Sequence, residues 1–367
     1  VSRSAIAFLR RGYSTSGGAE AYLKRIASSL ANNGTEVRLY SDAWPEEAWP
    51  WGEIVRVKGT TPASFAREVI AMRAGDEIFF SLERIPGCEI FRAGDGLHVA
   101  WLARRRAFEP RWKSWSHALH PKHHQLLALE RSIFSPHSPT HVIANSQLVA
   151  DEIREWFPDF PSAKVHIIPN GYDPPPALSP QVREALRFSF RKVHGIPSDA
   201  FVALFLGSGW ERKGLRYALL ATAGMPRTRL VVAGKGRARN YAAPHVIHLG
   251  EQKITAELFA GCDVLLHPTW YDPFSNACLE ALSAGLPVIT TRANGAAEAL
   301  DHSITGSVIS RADQTEELRA ELEFWRTRID ENARQACIQA ALRYSLEKNR
   351  IRTLELLQQV GYITAQT

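Results

Sequence analysis

The stretch "YDPFSNACLEALSAGLPVITT", residues 271–291, decides how this chain is read. An apolar stretch of helical spacing, a glycine, a proline and a β-branched run follow one another, as in a buried helix feeding a buried strand. With Ser275 as N-cap, Leu279 is the fourth helical residue and Phe274 the one before the cap, so the two can close a hydrophobic staple. Gly285 ends the helix and Pro287 bars its continuation. Two acids do not suit a core helix: Asp272 just before the first turn and Glu280 inside it. Glu280 lies too far along to be the capping-box partner of Ser275, which would stand at position 278. A carboxyl buried among Ala, Leu and Cys therefore requires a polar partner. The first free N–H groups, on Asn276 and Ala277, point into the preceding loop, where an anion would be welcome.

Outward from this stretch, strand-like runs alternate with helical patterns along nearly the whole chain, which predicts an α/β fold with parallel sheets. Strands are expected at 5–10, in "EVRLYSD", and at 77–82, 89–94, 141–146 and 165–170, with a helix near 19–32 and another from Ser146, its cap. "PNGYDPPPALSP" (169–180) holds five prolines and cannot continue a helix or a central strand. It reads as a hinge. Beyond it the alternation restarts, with strands at 201–207, 229–234, 246–250, 263–268 and 287–291, and helices after Lys213 and at 255–261. Two Rossmann-like units are expected, 1–170 and 171–345. The stretch 313–360 is helical, with one polar side.

The 367 residues are 45% hydrophobic and 22% charged, ordinary for a soluble globular protein of two domains. No run approaches the roughly 18–20 apolar residues of a membrane-spanning helix. "VSRSAIAFLRRGYSTSGG" lacks the apolar core of a secretory signal and reads as a first strand. The four cysteines (Cys88, Cys262, Cys278, Cys337) are scattered, so neither disulfides nor a metal site is expected, and the expected location is cytoplasmic. The net charge of +6 is shared between the halves, and no nucleic-acid motif accompanies it. One local run, "RRRAFEPRWKSWSHALHPKHH" (104–124), carries six Lys/Arg against one Glu, with two tryptophans. It reads either as a solvated surface or as an anchor on an anionic lipid surface, through Arg104, Arg105, Arg106, Trp112, Lys113 and Trp115.

Three places offer donors or fixed positive charge to a phosphate. Gly17-Gly18 lie between the first strand and a helix and would let a ligand approach the backbone; a tight turn explains them equally well. In "FLGSGWERKGLRYALLA", Arg212 and Lys213 open a helix, where cations oppose the dipole at a cost of ~0.3–1 kcal/mol. A bound diphosphate would offset that cost, although both side chains could equally extend into solvent. The third place is the start of the 275–285 helix.

"DPFSNACLEALSAGLPVITT" resembles the E-x7-E signature of the family-4 retaining glycosyltransferases, with Asp272 and Glu280 at the spacing of its two acids. "NSQLVADEI", "IPNGYD", "ERKG", "VVAGKG" and "CDVLLHPTWYDPF" follow in the family's order. Within the family the chain looks most like the enzymes that add the first outer-core glucose to inner-core heptose of lipopolysaccharide, on "LERIPGCEIFRAGDGLH" and "SGWERKGLRYALLA". The resemblance implies the GT-B architecture: two facing Rossmann-like domains, the first for acceptor and the second for a nucleotide sugar, with a last helix, 346–367, returning to the first. It implies metal-independent, retaining transfer of a hexose from a UDP-linked donor, with no cofactor. It places Arg212 and Lys213 on the diphosphate and Phe274, Ser275 and Asn276 at phosphate or sugar hydroxyls. Glu280 falls on the ribose, Glu251-Gln252 beside the base, and Asp272 near the reacting face of the sugar. Asp for Glu is a departure that shortens the reach by one methylene. Asp95 and His98, in "AGDGLH", fall in a loop facing the anomeric carbon. The implied acceptor is a lipid-anchored saccharide at the inner face of the cytoplasmic membrane, which would give the 104–124 run a role. Other envelope or capsule transferases, a nucleotide-sugar epimerase, a phosphorylase and a non-catalytic sugar-nucleotide-binding relative remain open as alternatives.

Overall fold

The computed structural model describes residues 5–15, 17–110, 113 and 120–363. The chain forms two units, Val1–Pro169 with Glu347–Thr367, and Asn170–Leu346.

The first unit is built on a parallel sheet of seven strands: β1 Ile6–Leu9, β2 Val37–Ser41, β3 Gly52–Arg56, β4 Ile78–Ser81, β5 Ile90–Ala93, β6 His141–Ala144 and β7 Val165–Ile167. Their order is β3-β2-β1-β4-β5-β6-β7. Alternate residues of β1 serve opposite faces, as the period of a strand requires. Ile6 and Phe8 pack with Leu23 and Ile26 of the helix Gly18–Asn32, while Ala7 and Leu9 face the layer that holds Phe65, Val69 and Ile153. Both faces are covered, so β1 is apolar throughout instead of alternating.

The helix Leu346–Gln359 belongs to the same face as Ile6 and Phe8, through Leu354, Leu356 and Leu357. Polar contacts fix its register: Asn349 Nδ2 donates to the Pro169 carbonyl at 2.7 Å, and Arg25 donates to Asn349 Oδ1 at 2.9 Å.

The second unit repeats the plan with six parallel strands: β8 Phe201–Leu206, β9 Thr228–Ala233, β10 Val246–Gly250, β11 Val264–His267, β12 Val288–Thr291 and β13 Gly306–Ile309. Their order is β10-β9-β8-β11-β12-β13. Val202, Leu204 and Leu206 face a core with Leu279 and Leu282, whereas Phe201, Ala203 and Phe205 face one with Leu215, Leu318 and Trp325.

In each sheet the order reverses beside the first strand, between β1 and β4 and between β8 and β11. Loops leaving the carboxyl ends of these two strands turn to opposite sides, which opens a crevice where ligands bind in open α/β sheets. The loops concerned in the second unit are 207–214 and 268–275, the stretches singled out from the sequence. No regular element lies between β7 and the helix Pro180–Val193, in agreement with the proline-rich 169–180 stretch. Ser179 caps that helix and Pro180 opens it.

Two strands escaped the sequence pattern. In β3, "GEIVR" is an edge strand with no buried residue, and β13, "GSVI", has only two apolar residues. The helix Pro62–Met72, with a capping box between Thr61 and Ser64, was also not singled out.

Candidate functional site

In the second unit the β8 loop and the β11 loop meet at Asp272. The turn that carries Arg212 and Lys213 ends in Gly214, at φ +80°, where a Cβ would lie 1.8 Å from the Pro268 carbonyl oxygen. Only glycine lets the two loops come this close. Trp270 N–H donates to the Arg212 carbonyl at 2.9 Å and Arg212 Nη1 donates to the Tyr271 carbonyl at 2.6 Å, which locks the loops together. Asp272 Oδ2 then lies 3.3 Å from Lys213 Nζ and 3.4 Å from Arg212 Nη1. It is also 3.9 Å from His267 Nε2.

Burial works against the Asp272 carboxylate, yet Lys213, His267 and Arg212 outweigh it and hold the group well below the usual carboxylate range. His267 shows the reverse balance: burial and the Lys213 charge push its imidazole down to about 4, so it is neutral at pH 7. Its Nε2 shares a 3.1 Å hydrogen bond with Ser275 Oγ.

The helix that opened the sequence reading runs Asn276–Ser283 with Ser275 as N-cap, and Gly285 follows at φ +78°. The Ser275 hydroxyl does not cap the helix; it turns to His267. Asn294 fixes the loop instead, accepting from Ser275 N–H at 3.2 Å and donating to Thr290 Oγ1 at 2.9 Å. Phe274 and Leu279 share one buried core cluster. Asn276 is exposed at the helix start, where its Oδ1 accepts from Asn170 at 2.9 Å.

Glu280 lies on the side of this helix that lines a cavity of 310 Å³, together with Tyr172, Pro175, Ile254, Phe259 and Ser283. Its carboxylate makes no hydrogen bond among the described residues. Burial pushes it up to about 7, with Lys213 pulling the other way. The polar partner that the sequence demanded is thus not supplied by neighbouring described side chains. Glu251 and Gln252 do not line this cavity; both are exposed, and the Gln252 amide folds back onto the Leu249 carbonyl at 2.9 Å. Ile254, Thr255 and Ala256 line it in their place.

In the first unit, Gly17 is the N-cap of the helix Gly18–Asn32, and a Cβ there would meet Glu20 Oε2 at 1.7 Å. What this glycine accommodates in the fold is the Glu20 carboxylate, which already matches the positive end of the helix and pairs with Arg10 at 3.0 Å. Asp95 follows β5 and is exposed. His98 opens the helix His98–Arg106 and is buried, with Nε2 2.9 Å from His123 Nδ1. Burial, with the Arg84, His123 and Lys122 charges, pushes it down to about 3, so it is a neutral imidazole. Glu130 holds this helix start, accepting from His98 N–H at 2.7 Å and Val99 N–H at 3.0 Å, and pairs with Arg84 at 3.0 Å.

Part of the basic run is engaged inside the fold. Arg104 pairs with the buried Glu152 at 3.0 Å and Arg105 with Glu109 at 2.8 Å, while Arg106 is exposed. Lys113 is half-buried, and Trp112 and Trp115 lie outside the described residues.

Sequence reasoning missed His267, Asn294 and Glu130. The signal for His267 was present, a lone imidazole ending the apolar run "DVLLH". Asn294 and Glu130 act through the tertiary fold across intervals of 19 and 32 residues, which no local pattern reveals.

Comparison with known proteins agrees with this arrangement. Residues 16–175 match the family described as Glycosyltransferase Family 4, and residues 200–325 match Glycosyl transferases group 1. The lipopolysaccharide glucosyltransferase WaaG of Escherichia coli (strain K12) is 25% identical over 366 residues, covering 94% of this chain and 92% of that one. The D-inositol 3-phosphate glycosyltransferase of Mycobacterium tuberculosis (strain F11) is 25% identical over 345 residues, 82% of this chain and 69% of that one. Among solved structures, that of WaaG, a glycosyltransferase involved in lipopolysaccharide biosynthesis, superimposes with a TM-score of 0.76 at 23% identity, covering 97% of this chain and 99% of that one. Anabaena Alr3699/HepE in complex with UDP-glucose gives 0.70 at 18% identity, covering 97% and 99%. With two Rossmann-like units of the GT-B type and both halves matched, the chain belongs to the family-4, group 1 glycosyltransferases.

Proposed function

We propose that this enzyme transfers glucose, with retention and without a metal ion, from UDP-glucose to a lipid-anchored saccharide of the lipopolysaccharide inner core, at a heptose. The observation that carries this reading is the pairing of Arg212 and Lys213 with the 272–276 loop at the β8/β11 crevice. Breaking a glycosyl–phosphate bond leaves negative charge on the diphosphate and an oxocarbenium-like carbon. The two cations and the N–H groups at the start of the 276–283 helix stabilise the first, where charge develops. The cavity beside them takes the nucleoside, with Glu280 receiving a ribose hydroxyl and Ile254–Ala256 flanking the base. The C1–O bond to phosphate breaks, a bond from C1 to the acceptor oxygen forms on the same face, and the acceptor proton passes to the leaving phosphate. Asp95 lines the acceptor side, and His98, a neutral imidazole, orients an acceptor hydroxyl there. Support for glucose and UDP comes from the WaaG relative and from the HepE complex.

The test is radiolabelled UDP-glucose incubated with the protein and heptose-terminated lipopolysaccharide. Label on the lipid saccharide in α-linkage is expected. An epimerised donor, or binding without turnover, would replace this function with one of its relatives.

The chain meets its acceptor at an anionic membrane surface through the basic, tryptophan-bearing run 104–124. Among the described residues no helix is long and apolar enough to cross a membrane. Replacing Arg106, Trp112, Lys113 and Trp115 together is expected to reduce cosedimentation with phosphatidylglycerol vesicles at least tenfold while donor hydrolysis continues. Arg104 and Arg105 are left in place because their ion pairs belong to the fold. Undiminished cosedimentation would refute the membrane role.

A further inference from the structure

Asp272 stands at the position where the family signature has a longer acid, and its surroundings differ from those of a group reaching for sugar. Its main chain is held on both sides: Asp272 N–H donates to the Ala293 carbonyl at 2.9 Å, and its carbonyl accepts from Gly295 N–H at 2.9 Å. The residue is 7% exposed. Within its short reach, Oδ2 meets Lys213 at 3.3 Å and Arg212 at 3.4 Å. The Arg212 guanidinium is at the same time bonded to the Tyr271 carbonyl. A diphosphate arriving at these cations finds them already paired with a carboxylate, and the pinned backbone keeps that carboxylate from moving away with it.

We infer that Asp272 is a positioning residue: it holds the Arg212 and Lys213 side chains in place for the donor diphosphate and competes with that diphosphate for them, and it does not grip the sugar. The inference rests on the donor site proposed above. Competition has a use in turnover. The diphosphate product carries more negative charge than the donor, and a built-in anion that reclaims the two cations hastens its departure.

Three probes separate the possibilities: inorganic pyrophosphate, UDP and UDP-glucose, each titrated calorimetrically into the full chain. In Asp272→Asn, affinity for all three is expected to rise several-fold by the same factor, with kcat lowered as product release slows. Asp272→Glu, which keeps the charge, brings the affinities back towards wild type. Weaker UDP-glucose binding with pyrophosphate and UDP unchanged would make Asp272 a sugar contact and overturn the inference. Unchanged or uniformly weaker binding of all three overturns it too, since a competitor's removal must strengthen the ligand. If Asp272→Asn does not fold, the wild-type protein carrying 13C-labelled aspartate serves instead. Saturating pyrophosphate should move the Asp272 carboxyl resonance, and an unmoved resonance refutes competition. Should pyrophosphate behave as expected while UDP-glucose binds no better than pyrophosphate, the assigned donor is wrong and the role of Asp272 stands. If no probe binds at all, both readings fall.

Discussion

Glu280 shows what a half-buried carboxyl with no hydrogen-bond partner among the described residues does to stability. Its ordinary value of 4.5 is raised to about 7, because burial penalises the charged form. The folded chain therefore holds this proton more tightly than the unfolded chain. No penalty exists below about pH 4.5; it grows as pH rises through the window to about 7 and is complete above it. A shift of that size corresponds to about 3 kcal/mol. Glu280→Gln is accordingly expected to stabilise the second unit by about 1–3 kcal/mol at pH 8 and by only a few tenths at pH 5, as measured by denaturant unfolding at both pH values. On the proposed placement of the ribose against Glu280, the same substitution should weaken UDP-glucose binding at pH 8 by about tenfold through loss of a charged hydrogen bond. A gain in stability that is equal at both pH values would count against this account. His98 and His267 titrate in the opposite sense. Both are lowered, to about 3 and about 4, so each favours the unfolded chain increasingly as pH falls below 6.5.

Among the elements, the turn before the helix Leu215–Thr222 is the one that brings Arg212 and Lys213 to Asp272. Gly214→Ala forces a Cβ against the Pro268 carbonyl at a left-handed backbone position. It is expected to cost about 3 kcal/mol or more and to abolish pyrophosphate binding by displacing the turn that carries Arg212 and Lys213 from the 268–275 loop and the start of the 276–283 helix. A melting temperature within 2 °C of wild type, roughly the shift from under 1 kcal/mol in a unit of this size, would contradict the contact.

Elements of this kind divide sharply in how far they could be read from sequence. β8, β11 and β12 are apolar runs bounded by turn residues, and the 276–283 helix announces both its start and its end. They were legible because burial on both faces leaves a continuous apolar signature. β3 was not, since an edge strand exposed to solvent carries no such pattern. The site divides in the same way. Arg212, Lys213, Asp272 and Glu280 were visible as polar residues at odds with their local setting. The Asn294 anchor and the Glu130 cap were invisible, because each acts on a loop distant in sequence.

At the scale of the whole molecule, two units imply two stabilities. Leu357 is fully buried in the first unit although it lies near the C-terminal end of the chain. Leu357→Ala should destabilise the first unit by about 2–5 kcal/mol. In variants that keep either Trp44 and Trp49 or Trp325 as the only tryptophans, emission reports each unit separately in denaturant: Trp44 and Trp49 lie in the first core and Trp325 in the second. The variant is expected to move the Trp44/Trp49 transition and to leave the Trp325 transition unchanged. Movement of both transitions together would show the units unfolding as one.

The position of the helix Leu346–Gln359 bears on how the chain is made. Its leucines complete a core begun by residues 6–9, so the second unit is in effect an insertion between two parts of the first. As the polypeptide leaves the ribosome, the 170–346 segment emerges with all its strands before that helix exists outside the tunnel. Domains ordinarily finish from the N-terminus onward during synthesis. Here the order is reversed: the first unit waits, with the part of its apolar face that Leu354, Leu356 and Leu357 cover still open, until that helix has emerged, and the interval is one in which a holdase chaperone has a face to bind.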